Sequence, residues 1–220
     1  MSHIETDIIP QLARLLIGHD LHKHFNICLP HRHFDLGNDY EQIVELVDQN
    51  GQSVSSVFQN GRPDESVLDD FGLVMPENPS IFPSGFLVLQ DQLVPYEYSC
   101  KDRDEALNVN IPELPSSFLE SWDNTVSQCG AIRGCLGLSL KAGNSPTLQI
   151  CHLDRRVDRS LPLPASLPST AFPTEWAAEP STLASDGELT RQHFCGGPGF
   201  CPTCCVWVES NPCPRCGTSF

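Results

Sequence analysis

Cations are scarce in this chain. Its 220 residues carry 13 Lys and Arg against 28 Asp and Glu, a formal net charge of −15. Residues 1–160 hold 11 of the basic groups and 23 of the acidic ones. A field of that sign repels phosphate backbones, so nucleic acid is not the expected partner. Long apolar runs are lacking too, and no stretch approaches the roughly 20 residues a membrane-crossing helix needs. The first residues, "MSHIETDIIPQLARLLIGHD", have neither the basic start nor the apolar run of a signal peptide. The expectation is an intracellular protein, cytoplasmic or nuclear, with no membrane contact. P-loop, nucleophile-elbow and dinucleotide-binding signatures are also missing, so nucleotide and acyl-transfer chemistry lack their usual marks.

Cysteine and proline are plentiful instead, at 11 and 19 residues. In a reducing compartment such cysteines point to metal rather than disulfides. Cys28, Cys100, Cys129, Cys135 and Cys151 lie scattered in apolar contexts and read as buried free thiols. The proline content implies a linker.

Hydrophobic periodicity places the elements. Ile8, Leu12, Leu15 and Leu16 share one helical face, with Gly18 as the stop. "FNICLPHRHFDL" alternates as a strand. "EQIVELVDQNGQSVSSVF" reads as a hairpin turning at Asn50-Gly51, and "SGFLVLQDQLVPYEYS" as a second turning at Asp91-Gln92. Phe118, Trp122 and Val126 share a helical face capped by Ser116 or Ser117. "CLGLSLKAGNSPTLQICHLD" gives two more strands around Gly143-Asn144. These elements predict an α+β core domain over 1–159, a mainly antiparallel sheet with two helices. Residues 160–190, with five prolines between 162 and 180, read as a Pro/Ser-rich linker holding Trp176. Residues 191–220 form a small Cys-rich module. "DRRVDR" at 154–159 sets three Arg against two Asp and reads as a solvated domain edge.

Two pairs, Cys201-Pro-Thr-Cys204 and Cys213-Pro-Arg-Cys216, end the chain. A CxxC turn folds tightly enough to set two sulfurs on one metal, and four thiolates make a tetrahedral zinc site with no open position for catalysis. Pro202 and Pro214 stiffen the turns, and His193, Cys195 and Cys205 are alternative ligands. "CPTC" and "CPRCG" resemble the knuckles of zinc-ribbon and rubredoxin-like tails, which implies bound Zn2+, with iron as the alternative. Zinc binding would supply the folding energy that about 30 residues cannot obtain from a core. Val206, Trp207 and Val208 would then be apolar surface for a protein partner.

Five of the eight histidines fall between His19 and His33. On a strand, His31 and His33 point to one face about 6.5–7 Å apart and can share a transition metal. That spacing resembles the HxH pair of cupin-like barrels. Glu41, after seven intervening residues, comes later than that pattern wants, so its iron and oxygenase chemistry are not carried over. A site of His31, His33, Glu41 and His152 would make the protein a metalloenzyme. The order "LHKHFNICLPHRHFDL", a Glu-rich strand, then "GFLVLQDQLVPYEYS" resembles small uncharacterised proteins of filamentous fungi over about residues 20–155. That resemblance implies a compact domain and no particular activity.

The sequence thus favours a non-enzymatic zinc-binding protein whose knuckle serves structure or protein–protein interaction. A metalloenzyme is the first alternative. A nucleic-acid-associated zinc ribbon is the second, disfavoured because residues 191–220 offer only Arg191 and Arg215 against Glu209.

Overall fold

The computed structural model describes residues 7–30, 36–48, 52–89, 92–127, 136–141, 145–168, 171–180 and 189–195, and the backbone of 200–201 and 206–207. The chain opens with α1 (Ile9–Gly18), whose Ile9, Leu12, Ala13 and Leu16 are buried at helical spacing. Strands β1 (Phe25–Cys28), β2 (Glu41–Val47), β3 (Ser53–Gln59) and β4 (Arg62–Pro63) follow, then α2 (Glu65–Phe71). The long pair β5 (Pro79–Leu89) and β6 (Gln92–Asp102) leads into the single turn α3 (Arg103–Ala106) and α4 (Ser116–Ser127). Strands β7 (Gly137–Leu140), β8 (Thr147–His152), β9 (Val157–Pro162), β10 (Phe172–Ala177) and β11 (Thr190–Cys195) complete the main sheet. A separate two-stranded ladder joins β12 (Phe200–Cys201) to β13 (Val206–Trp207).

The main sheet runs β2-β6-β5-β7-β1-β10-β11-β8-β9-β3, and β3 then pairs with β2 to close the circle. Glu41 to Val47 face Gln59 to Ser53 one by one across that seam. Strand β4 hangs on the outside of β3, after a turn in which Asn60 and Gly61 both take positive φ, as a mirror-image hairpin turn demands. The β2–β6 and β8–β11 pairs are parallel, and the other pairs around the ring are antiparallel. The fold is therefore a closed ten-stranded mixed β-barrel with few helices. The expected α+β arrangement on an antiparallel sheet is wrong. Alternation and turn residues mark strands equally well in an open sheet and in a barrel; whether the two edges meet depends on pairings between strands distant in sequence.

The expected helices and hairpins are present as α1, α4, β2–β3 and β5–β6. The two strands expected around Gly143-Asn144 exist but are not neighbours. β7 lies between β5 and β1, and β8 between β11 and β9. The expected linker contributes wall. β9 runs to Pro162, and β10 pairs with β1 and β11. Prolines fit here because Pro162 ends its strand and Pro173 borders a register shift, where a missing donor costs little. Trp176 is buried and sits opposite Ile27 across the β1–β10 pair. Because β11 is seated between β10 and β8, a domain boundary at 190 would cut through the barrel.

The apolar core lies outside the barrel wall. Phe25, Ile27, Phe86, Leu138 and Trp176 pack beneath α1 and α4, against Leu12, Leu16, Phe118 and Trp122. Val44, Leu46, Val54, Phe58, Cys100 and Val157 form a second cluster with Val67 of α2 and with Leu73. Each such side chain contributes about 1.5–3 kcal/mol by leaving water. α2 is held at its start by the Asp64 carboxylate, which accepts from the Ser66 N–H, and at its end by Gly72 at φ 62°. Two glycines serve close approach. A Cβ on Gly137 would fall 2.1 Å from the Phe86 carbonyl oxygen, and one on Gly85 3.0 Å from the Glu97 carboxylate. Since alternate residues of these strands face the helices, the remaining ones face the lumen.

Candidate functional site

Cross-strand partners share a face, so the pairing register reads off the lumen as connected rows. One row runs Glu45, Ser55, Asp158, Cys151 across β2, β3, β9 and β8. A second runs Cys28, Glu175, His193, Thr147 across β1, β10, β11 and β8. A third runs Glu97, Gly85, Ser139, Asn26 across β6, β5, β7 and β1. The rows enclose a cavity of about 400 Å³, lined among others by Glu45, Glu97, Asp158, Glu175, Cys28 and His193. Four carboxylates from four strands thus surround one space, and its described lining contains no Lys or Arg.

Burial governs these acids. It pushes Asp158 up to about 7, only partly offset by a hydrogen bond from the Cys151 thiol. Glu175 is likewise raised by burial, against the lowering effect of Asn26 and Ser139, with the charge of Glu45 adding to the rise. The Asn26 amide donates to Glu175 Oε1 at 2.5 Å. Glu45 is raised by burial while Ser53 and Lys101 pull it down. Asp158 is only 4% exposed, and its Oδ1 has no hydrogen-bond partner among the described residues. Cys28 is pushed well up by burial, then by the charges of Glu97 and Glu175. Burial raises Cys151 as well, followed by Asp158. Both therefore stay thiols at neutral pH, weak as nucleophiles and able to donate. The His193 ring is set by Thr147, whose Oγ1 lies 2.7 Å from Nδ1.

The sequence-based candidates fall elsewhere. Glu41 is held by Arg156 at 2.6 Å and accepts from the Gly37 N–H. His152 lies edge-on to Phe71, ring centroids 5.2 Å apart. His31 and His33 lie outside the described residues, and no described group of three His, Cys, Asp or Glu side chains could hold a metal. His193 and Cys195 are wall residues of β11, His193 facing the lumen and Cys195 buried. Cys204, Cys205, Cys213, Cys216 and Val208 lie outside the described residues; Cys201, Val206 and Trp207 are placed by backbone on β12 and β13. Cys28, Cys100 and Cys195 are buried and Cys151 is half-buried, none of the four in a disulfide.

The "DRRVDR" stretch is not a solvated edge. Arg155, Arg156 and Arg159 pair with Asp70, Glu41 and the buried Asp48, while Asp158 turns inward. Sequence reasoning passed over the lumen acids Glu45, Glu97, Asp158 and Glu175. Each has at least one apolar or aromatic neighbour, as in "IVELV" and "RVDR", but that pattern is shared with solvent-facing acids. Compared with protein-family models, with curated proteins and with solved structures, the chain matches none. Among the described residues, no helix is long and apolar enough to cross a membrane.

Proposed function

We propose that the chain is a binding protein whose barrel lumen takes up a small polar molecule. The observation that carries this reading is the cavity of about 400 Å³ lined by acids on four strands, among them Asp158, whose buried Oδ1 has no hydrogen-bond partner among the described residues. That volume lies within the roughly 300–1,000 Å³ of small-molecule sites. Buried carboxylates cost folding energy unless something else uses them. A barrel selected only for stability would fill its interior with apolar side chains, as small barrels do. The helices and the outer core provide the rigidity that keeps the cavity open.

The test is thermal shift against a library of small polar metabolites, using the full chain and a Ser55→Phe variant that fills the lumen. Stabilisation of the parent by some member, lost in the variant, is the expected result. A parent that no member stabilises would sink the reading.

A second reading concerns the tail. The CxxC pairs at 201–204 and 213–216 are of a type that binds Zn2+, and the pairing of β12 with β13 supplies a short ladder between their positions. Zinc there would staple the C-terminus, and Val206, Trp207 and Val208 would be a surface for a protein partner. Metal analysis of the full chain should find one zinc per molecule, reduced to none by Cys213→Ser with Cys216→Ser. Zinc content unchanged by that double substitution would refute the assignment. This function is a binding one, with no reaction assigned to either part.

A further inference from the structure

Resting on the lumen-binding reading, we infer that the ligand is an organic cation: a small aliphatic or aromatic amine bound between Glu45, Asp158 and Glu175, with Glu97 on the same cavity. The geometry argues for this in three ways.

First, the sign of the lining. Carboxylates from β2, β6, β9 and β10 converge on one space, and no guanidinium or ammonium belongs to its described lining. The nearest described cation acting on them is Lys101 on β6, felt by Glu45. An anionic ligand would meet repulsion from every side in a medium of low dielectric. A cation meets attraction from every side.

Second, the donor and acceptor balance. Ionised carboxylates only accept, and Asp158, only 4% exposed, has an Oδ1 with no hydrogen-bond partner among the described residues. An ammonium brings three donors and no acceptor, the complement of such a lining. Neutral alcohols bring a donor and an acceptor each and leave the charge unmatched. The donors already present, the Asn26 amide on Glu175 and the thiol of Cys151 beside Asp158, are neutral.

Third, the spacing by register. Glu45 and Asp158 flank Ser55, while Glu175 lies beyond Cys151 and Thr147 on the far side of β8 and β11. Acids on opposite arcs of the wall suit a ligand with cationic groups at both ends, or one ammonium and a hydrogen-bonding tail. The His193–Thr147 pair borders the Glu175 end and supplies the polar contact there.

Binding is coupled to protons. The titratable groups on the lining are Glu45 on β2, Glu97 on β6, Asp158 on β9, Cys28 on β1, Glu175 on β10 and His193 on β11; behind them Cys151 on β8 bonds Asp158 and Lys101 on β6 acts on Glu45. Burial raises Asp158 to about 7 and shifts Glu45 and Glu175 in the same direction, so a cation entering below that pH displaces the proton of Asp158. Affinity for an amine should therefore rise from pH 5.5 to pH 8, where aliphatic amines remain charged.

The experiment is titration calorimetry on the full chain with putrescine, agmatine, spermidine and tyramine. 1,4-Butanediol and tyrosol serve as neutral matches and succinate as the anionic one. At least one amine should bind at least tenfold more tightly than its neutral match, with succinate undetectable and affinity rising with pH. Glu175→Gln, which keeps shape and removes charge, should weaken that amine at least tenfold while the circular dichroism spectrum is unchanged. Ser55→Phe should abolish it. Neutral matches binding as tightly as amines, and lost in Ser55→Phe, would overturn the cation inference and leave the lumen reading standing. Amine binding that survives both Ser55→Phe and Glu175→Gln would place it outside the lumen and overturn the inference. No binding by any amine would overturn it as well, and the metabolite screen of the parent then decides the lumen reading separately.

Discussion

Replacing Asp158 by Asn should stabilise the protein, and more so at high pH. The side chain is 4% exposed and burial raises its carboxyl to about 7 from an ordinary 3.8. A folded-state value above the unfolded one means that the folded chain binds the proton more tightly. Stability from this group is then full at low pH and falls as pH climbs from about 4 to 7, levelling off above. The difference of about three units corresponds to about 4 kcal/mol of cost at pH 8.5, and about 2 kcal/mol of it is already present at pH 5.5. Asn cannot ionise, so it removes this pH-dependent part. The intrinsic effect of exchanging carboxyl for amide is the same at both pH values and cancels in the comparison, as do Glu45 and Glu175, which both proteins retain. Urea unfolding of parent and variant at pH 5.5 and 8.5 measures it; the lower value keeps clear of the isoelectric point near 4.7. The gain of Asp158→Asn over the parent should be about 2 kcal/mol larger at pH 8.5 than at pH 5.5. A gain that differs by less than about 0.5 kcal/mol would refute the claim that this acid is buried in the lumen wall.

Gly137→Ala should cost at least about 1–3 kcal/mol, read by the urea midpoint, because its Cβ would overlap the Phe86 carbonyl where β7 meets β5. A neutral effect would mean that those strands are not so close. Arg159→Met should cost about 2–4 kcal/mol at pH 7, because it strands Asp48, whose side chain is 2% exposed and paired with Arg159 at 2.7 Å. A loss below about 0.5 kcal/mol would show that this pair contributes little to stability.

Local chemistry settled much of the secondary structure from the sequence. The apolar spacing of Ile8, Leu12, Leu15 and Leu16, and of Phe118, Trp122 and Val126, required helices with one buried face; Ile8, Leu12 and Leu16 are buried with Leu15 partly so, and α4 buries all three. The alternation in β2, β3, β5 and β6 required strands. Asn60-Gly61 was passed over in the sequence, although the pair is of the hairpin type and both residues take positive φ. Of the scattered cysteines expected to be buried thiols, Cys28 and Cys100 are buried, Cys151 is half-buried, and Cys129 and Cys135 lie outside the described residues. Composition misled at 160–190, since prolines tolerated at strand ends and bulges look the same as linker prolines until the strand partners are known.

Tertiary structure alone decided which face of each strand is the core. Val44, Leu46 and Val54 face α2 from outside the wall, while Glu45, Ser53 and Ser55 on the same strands turn inward. A period of two fixes that neighbours lie on opposite faces and says nothing about which face meets protein and which encloses a cavity. That was set by the pairings of β2 with β6, β3 with β9 and β1 with β10 and by helices covering the outside, contacts between residues far apart along the chain. The same closure drew Glu45, Glu97, Asp158 and Glu175 together from positions up to 130 apart in the numbering. Their charge was readable in the sequence; their burial around one space, which alters their acidity, belongs to the fold.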